Sequence, residues 1–205
     1  MTPSFSFELA ARSSGHAIIC GVDEAGRGPW AGPVCAAAVI LDSANIPAGL
    51  NDSKKLTEAK REKLFPEIMR VADVGVGLVS AAEIDEINIL QATYLAMNRA
   101  VAALKAKPSL ALIDGNRAPK LFCATQTIID GDGKSLSIAA ASIIAKVTRD
   151  RLMIEMDAVY PAYGFARHKG YGTAAHAAAL AKHGPCTEHR KSFAPIRVLL
   201  SPMGR

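Results

Sequence analysis

Two apolar runs near the start of the chain, residues 16–22 and 34–41, are joined only by a glycine-rich connection, so they read as adjacent strands. Any fold for this chain has to be built around that pair. The first run ends in Asp23 and Glu24. Val74, Val76 and Leu78 alternate with small residues as a third strand, 110–113 leads into Asp114 as a fourth, and 126–129 is a fifth. Helical patterns fill the intervals. One spans 57 to about 69, with Thr57 as N-cap and Pro66 expected to kink it or end it early. A capping box at Ser80 and Glu83 opens a long amphipathic helix to about 104, closed by Pro108. An alanine- and isoleucine-rich helix follows from 136 to about 156, and a last one runs from 173 to 183, stopped by Gly184 and Pro185. Early strands, then alternating helix and strand, then a helical end describe an α/β mixed sheet flanked by helices.

A chain of 205 residues suits a single domain better than two equal ones. Half of it is apolar and 21% is charged, the balance of an ordinary globular protein. Lysine and arginine exceed aspartate and glutamate by 24 to 19, which permits attraction to a polyanion without proving it. Cys20, Cys35, Cys123 and Cys186 are widely spaced, so neither a zinc site nor a disulfide framework is expected. Residues 1–15 carry no apolar stretch long enough for a signal peptide, and no later run suggests a membrane span. These features point to a cytoplasmic protein.

Chemistry is expected where strands end. Asp23, Glu24, Asp114 and Asp132 all occupy strand ends or the loops that follow, and strand ends meet in space even when far apart in sequence. Singly, Asp114 before Gly115 and Asp132 between two glycines are explained as turn residues. Jointly they are costly: two carboxylates about 4 Å apart repel by roughly 4 kcal/mol at an effective dielectric of about 20. A convergent set therefore calls for cations, and oxygen-only ligands select hard ions such as Mg²⁺ or Mn²⁺. The run from Ala25 to Pro33 has glycines at the wrong spacing for a dinucleotide fingerprint, and a strand follows it. Its glycines permit close approach of backbone to a substrate, or simply a tight turn.

The motifs Gly21-Val22-Asp23-Glu24-Ala25-Gly26-Arg27-Gly28-Pro29, Asn51-Asp52-Ser53-Lys54-Lys55-Leu56, Ile113-Asp114-Gly115-Asn116, Asp132-Gly133-Lys134-Ser135, Ala140 through Asp150, and His168-Lys169-Gly170-Tyr171-Gly172-Thr173 occur in that order. The ordered set closely resembles the signature blocks of the ribonuclease HII family. The resemblance implies a ribonuclease H-like fold, a single catalytic domain over 1–205 with a helical C-terminal extension from about 160 to 205, and catalytic, metal-binding carboxylates at Asp23, Glu24, Asp114 and Asp132. It also implies that Gly26, Arg27 and Gly28 sense a ribose 2′-hydroxyl and that Tyr171 packs on the neighbouring deoxyribose. Lys54, Lys134, Ser135 and His168 are grouped with the substrate contacts, and Lys146, Lys169 and Arg190 join them as candidate phosphate contacts.

The implied partners are RNA–DNA hybrids and DNA duplexes holding ribonucleotides, cut by a monomer. His176, His183 and His189 are expected to be ordinary helix or surface residues, and Trp30 to pack in a core or loop. The end of the chain, 199–205, shows no obvious clamp-binding peptide. Two rivals remain: a junction-cutting nuclease of the same fold, and a basic nucleic-acid binding module without catalysis. Cleavage of an all-DNA four-way junction would favour the first, and metal-independent binding without cleavage the second.

Overall fold

The computed structural model describes residues 2–201. Its central sheet has the order β3-β2-β1-β4-β5. The strands are β1 (Ile19–Ala25), β2 (Val34–Ile40), β3 (Asp73–Val79), β4 (Leu110–Asp114) and β5 (Ala124–Ile128). β1 pairs antiparallel with β2, as expected of strands joined by a short connection, and β2 pairs antiparallel with β3 although residues 41–72 lie between them. β1 and β4 run parallel, as do β4 and β5. The last strand begins two residues before the predicted 126–129 and ends one earlier; its polar Thr125, Gln126 and Thr127 hide the apolar pattern at an exposed edge.

Helices cover both faces. On one side β1, β2 and β3 pack against α3 (Ala81–Ala102) through Cys20, Val22, Ala36, Ala38 and Val79. On the other, Cys35, Ala37 and Val39 meet α4 (Leu136–Val159) and α2 (Glu58–Val71). Alternate side chains of a strand face opposite ways, so the run of small residues in β2 serves both layers. Close approach is decisive at Gly21: a Cβ there would lie 2.1 Å from the backbone carbon of Ser137, so only glycine lets the start of α4 rest on β1.

Several helices differ from expectation. Pro66 does not end α2 early; the helix continues to Val71 because Leu64 and Ile68, on either side of the proline, are anchored in the core. The capping box at Ser80 and Glu83 forms, but α3 is two helices meeting at Asn88, whose φ is 66°. The Asn88 Oδ1 accepts the amides of Leu90 (3.0 Å) and Gln91 (3.2 Å) and so caps the second segment. α1 (Ser6–Ser13) was not expected at all; its Glu8 is buried and accepts the Ser135 hydroxyl at 2.6 Å and the Ser137 amide at 2.9 Å.

The C-terminal part holds α5 (Phe165–His168), α6 (Ala174–His183) and α7 (Ala194–Leu200), of which only α6 was foreseen. It is fastened to the loop after β1. Trp30 N–H donates to the Gly170 carbonyl (2.8 Å), Gly32 N–H to that of Glu188 (2.9 Å), and Arg190 N–H to that of Trp30 (2.8 Å). Trp30 packs against Gly172 and beside His176, in agreement with a packing role. No helix among the described residues is long and apolar enough to cross a membrane. Part of the 199–205 segment, residues 202–205, lies outside the described residues.

Candidate active site

The register of β1 and β4 sets Val22 opposite Ile113, so Asp23 and Asp114 leave neighbouring parallel strands at one level. Asp132 arrives from a 3₁₀ turn, Gly131–Gly133, between β5 and α4. The turn is tied in place because Asp114 Oδ1 accepts the Gly131 amide at 2.7 Å. One carboxylate oxygen from each of Asp23, Asp114 and Asp132 lies within 4.8 Å of the other two. Asp23 and Asp132 are buried and Asp114 is partly so.

Glu24 stands apart from this triad. Asp23 points to the α4 face of β1, and by alternation Glu24 points to the α3 face. There it meets Arg27 Nη1 at 3.4 Å and shares with Asp114 and Asn116 a cavity of about 460 Å³. Thus the structure assembles three of the four expected acids around one point and places the fourth beside them.

Electrostatics agree with that geometry. Burial, then the charges of Glu24 and Asp114, raise Asp23 well above the usual carboxylate range. Burial, then Asp114 and Asp52, push Asp132 up to about 6. Burial raises Glu24 too, opposed by Arg27. Lys54 offers partial compensation, its Nζ 3.8 Å from Asp132 Oδ2, but its side chain is 81% exposed. Acidic oxygens gathered in a buried pocket with so little cationic cover suit a hard divalent ion. The donor set therefore fits Mg²⁺ or Mn²⁺.

Asp52 is an acid that sequence reasoning passed over as part of a polar loop. Its Oδ1 accepts the Lys54 amide at 2.9 Å, and although burial works against its charge, that amide and neighbouring Asp132 hold it below its ordinary value. The available signal was its place in the Asn51-to-Leu56 motif.

A second cavity of about 270 Å³ joins Asp23 to Gly26, Arg27, Gly28, Lys54 and Tyr171. Gly26 has a φ of +94°, and a Cβ there would sit 2.0 Å from Arg149 Nε, so the turn requires glycine. A Cβ on Gly28 would come 3.8 Å from the Tyr171 ring, which is 45% exposed. A third cavity of about 300 Å³ holds Asp52, Lys54, Lys55, Asp114, Asp132 and Lys134. Lys54 is common to the second and third cavities, Asp114 to the first and third, and Arg27 to the first and second. Together they skirt the triad.

Other expected contacts are engaged, wholly or in part, within the protein. The Ser135 side chain is fully buried as the N-cap of α4 and its hydroxyl is engaged by Glu8, which removes it as a substrate ligand. His168 spends both ring nitrogens internally: the Gly170 amide donates to Nδ1 (3.2 Å), so Nε2 carries the proton and donates to the Tyr163 carbonyl (2.8 Å). Lys146 pairs with Asp150 at 2.9 Å while lining the second cavity, and Lys169 turns its amine to the Ala166 carbonyl. Lys134 donates to the Ile129 carbonyl at 2.6 Å while facing the third cavity.

Arg190 is fully buried and cannot serve as a phosphate contact. Burial, then neighbouring Arg149, push it down to about 9. His176 and His189 are not surface residues either; both are fully buried, with their Nε2 atoms 2.9 Å apart. His183, by contrast, is exposed.

Known proteins resemble this chain in sequence and in fold. The family model described as Ribonuclease HII matches residues 20–196. A ribonuclease HII of Parvibaculum lavamentivorans is 56% identical over 203 residues, covering 98% of this chain and 75% of that protein. One of Magnetococcus marinus is 57% identical, covering 97% and 95% respectively. The crystal structure of ribonuclease H2 from Pyrococcus horikoshii superimposes with a TM-score of 0.74 at 30% identity, covering 89% of this chain and 97% of that one. With the family model, the sequence identity over nearly the whole length and the fold in agreement, this chain belongs to the ribonuclease HII family.

Proposed function

We propose that this chain is an endoribonuclease that hydrolyses the RNA strand of RNA–DNA hybrids and incises on the 5′ side of ribonucleotides embedded in duplex DNA, leaving 3′-hydroxyl and 5′-phosphate ends. The observation that carries the proposal is the convergence of Asp23, Asp114 and Asp132 next to the Gly26-to-Gly28 turn and Tyr171. Two Mg²⁺ or Mn²⁺ ions, when bound, would supply an activated water and stabilise the departing 3′-oxygen.

The chain's own residues do the rest. Asp23, Asp114 and Asp132, with Glu24 at their edge, would hold the cations, whose charge would offset the burial and mutual repulsion that disfavour the ionised acids. The glycine turn brings backbone close enough to read a 2′-hydroxyl, the group that separates RNA from DNA. Tyr171 presents an aromatic face to the adjacent deoxyribose, where an extra hydroxyl would not fit. Lys54 and Lys134 flank the acids and suit phosphates on either side of the cut, fixing register rather than sequence. We take residues 1–205 as one catalytic unit, acting as a monomer in the cytoplasm.

The test supplies duplexes with none, one and several ribonucleotides to wild type, Asp23→Asn and Asp114→Asn, with Mg²⁺ or Mn²⁺, and maps the cuts. Wild type should cut only where a ribonucleotide stands and the variants should be almost inert. Near-normal turnover by either variant, or cleavage of all-deoxy duplex, ends this reading.

A further inference from the structure

Two arginines lie beneath the glycine turn, and neither forms an ion pair among the described residues. Arg149 is 1% exposed and Arg190 0%. Both spend their guanidinium groups on backbone carbonyls. Arg149 donates from Nε to Pro33 (2.9 Å), from Nη1 to Lys169 (3.0 Å) and from Nη2 to Ala31 (3.1 Å). Arg190 donates from Nε to Gly32 (2.9 Å), from Nη1 to Arg27 (2.9 Å) and from Nη2 to Gly26 (2.6 Å). Burying two like charges side by side is unfavourable unless their donors are matched, so this placement answers to a demand beyond core filling.

Peptide geometry supplies that demand. In a planar trans peptide the carbonyl of one residue and the N–H of the next point in opposite directions. With the Gly26 and Arg27 carbonyls drawn inward to Arg190, the amides of Arg27 and Gly28 are turned outward. Those residues line the same cavity as Asp23 and Tyr171, and neither amide donates to a protein group among the described residues. Two aligned free donors beside the acidic triad suit a hydroxyl oxygen, whereas a side chain at this point would add bulk.

We propose that Arg190 is a positioning residue for ribose recognition: by gripping the Gly26 and Arg27 carbonyls from below, it aims the Arg27 and Gly28 amides at the substrate 2′-hydroxyl. This rests on the reading of the turn as the ribose-sensing element. The forked guanidinium is what spans two successive carbonyls; a lysine ammonium keeps the charge but cannot reach both in the same geometry. The opposite wall is set by the same stretch of chain, since His189, next to Arg190, bonds His176, which in turn bonds the Tyr171 carbonyl at 3.0 Å.

The experiment compares wild type, Arg190→Lys and Arg190→Met on two DNA duplexes of one sequence, the first with a single ribonucleotide, the second all-deoxy. Single-turnover cleavage across enzyme concentrations yields the half-saturating concentration for the first; the second, added as competitor, yields its inhibition constant. The ratio of the two measures ribose discrimination. Arg190→Met should lower that ratio about tenfold, the scale of a lost buried hydrogen bond, and Arg190→Lys should also lower it severalfold. Affinity for the all-deoxy competitor should stay within about twofold, because phosphate contacts are made elsewhere.

A wild-type ratio in a folded variant overturns the proposal, and so does an equal loss of affinity for both duplexes, the mark of a merely structural role. Should Arg190→Met fail to fold, Arg190→Lys decides by the same ratio. A wild type that does not discriminate between the duplexes would sink the ribose-sensing reading itself, and Arg190's part with it; discrimination in wild type that persists in the variants removes only the latter.

Discussion

The Nε2 atoms of His176 and His189 lie 2.9 Å apart inside the C-terminal part, and their neighbours decide which one holds the proton. The Cys186 amide donates to His189 Nδ1 at 3.0 Å, so His189 carries its proton on Nε2 and donates to His176. His176 then donates from Nδ1 to the Tyr171 carbonyl. The chain works only with both rings neutral.

Acid should therefore weaken the fold through this pair. Burial, then His176, hold His189 at about 4, below its ordinary 6.5. Between those values the unfolded chain binds more protons than the folded one, so stability is present above about pH 6.5 and is lost as pH falls toward 4. His176, His168, Cys186 and Tyr163 surround the ring, while raised carboxylates at Asp23 and Asp132 act with opposite sign in the same window. The informative quantity is the difference: urea midpoints of His189→Gln should fall less between pH 7 and 5 than those of wild type. Parallel pH profiles would refute it.

Removing a charge from the acidic triad should stabilise the metal-free protein. Asp23→Asn in EDTA at pH 8 is expected to melt a few degrees higher than wild type, since about 1 kcal/mol moves Tm by roughly 2–4 °C in a chain of this size. Cleavage should vanish in the same variant. A lower Tm would mean that Asp23 is better compensated than its surroundings indicate.

Divalent ions should act as ligands of the folded state. Millimolar Mn²⁺ should raise the wild-type Tm above its value in EDTA, and Asp132→Asn should cut the increment at least by half, because binding to the folded state alone adds stability in proportion to the logarithm of ligand concentration over Kd. Equal increments in the two proteins would place the ions elsewhere.

Tyr171 should matter to the reaction and little to the fold. Its side chain is half exposed, and the structural bonds of this residue are made by its backbone, the amide to His168 and the carbonyl to His176. Tyr171→Ala should keep the wild-type Tm within about 1 °C, as surface substitutions do, yet lose at least about tenfold in cleavage rate. An unchanged rate excludes it from substrate packing.

Gly21→Ala should damage the fold from outside the site. The new Cβ would fall 2.1 Å from Ser137 and 2.3 Å from the Ile138 amide, in backbone that cannot rotate away. A loss of about 1–3 kcal/mol or more is expected, read from urea unfolding. A neutral result would show that α4 can shift on β1.

Periodicity made the layout legible. Apolar runs ending in Asp23 and Asp114, the capping box at Ser80, and the Thr173 cap of α6 depend on residues close in sequence, and the structure contains each of them. Elements carried by tertiary contacts were less so. α1 is marked by the burial of Glu8 against Ser135, β5 by its pairing with β4, and the break at Asn88 by a left-handed residue that no hydrophobic pattern announces.

At the site, local sequence determined which acids stand at strand ends, because alternation and turn chemistry act over a few residues. Only the tertiary structure decided that Asp23, Asp114 and Asp132 share one point, and that Arg190, His176 and His189 are buried supports. Burial and convergence depend on how distant segments pack, and a lysine or arginine in a sequence looks the same whether its donors end in water or under a turn.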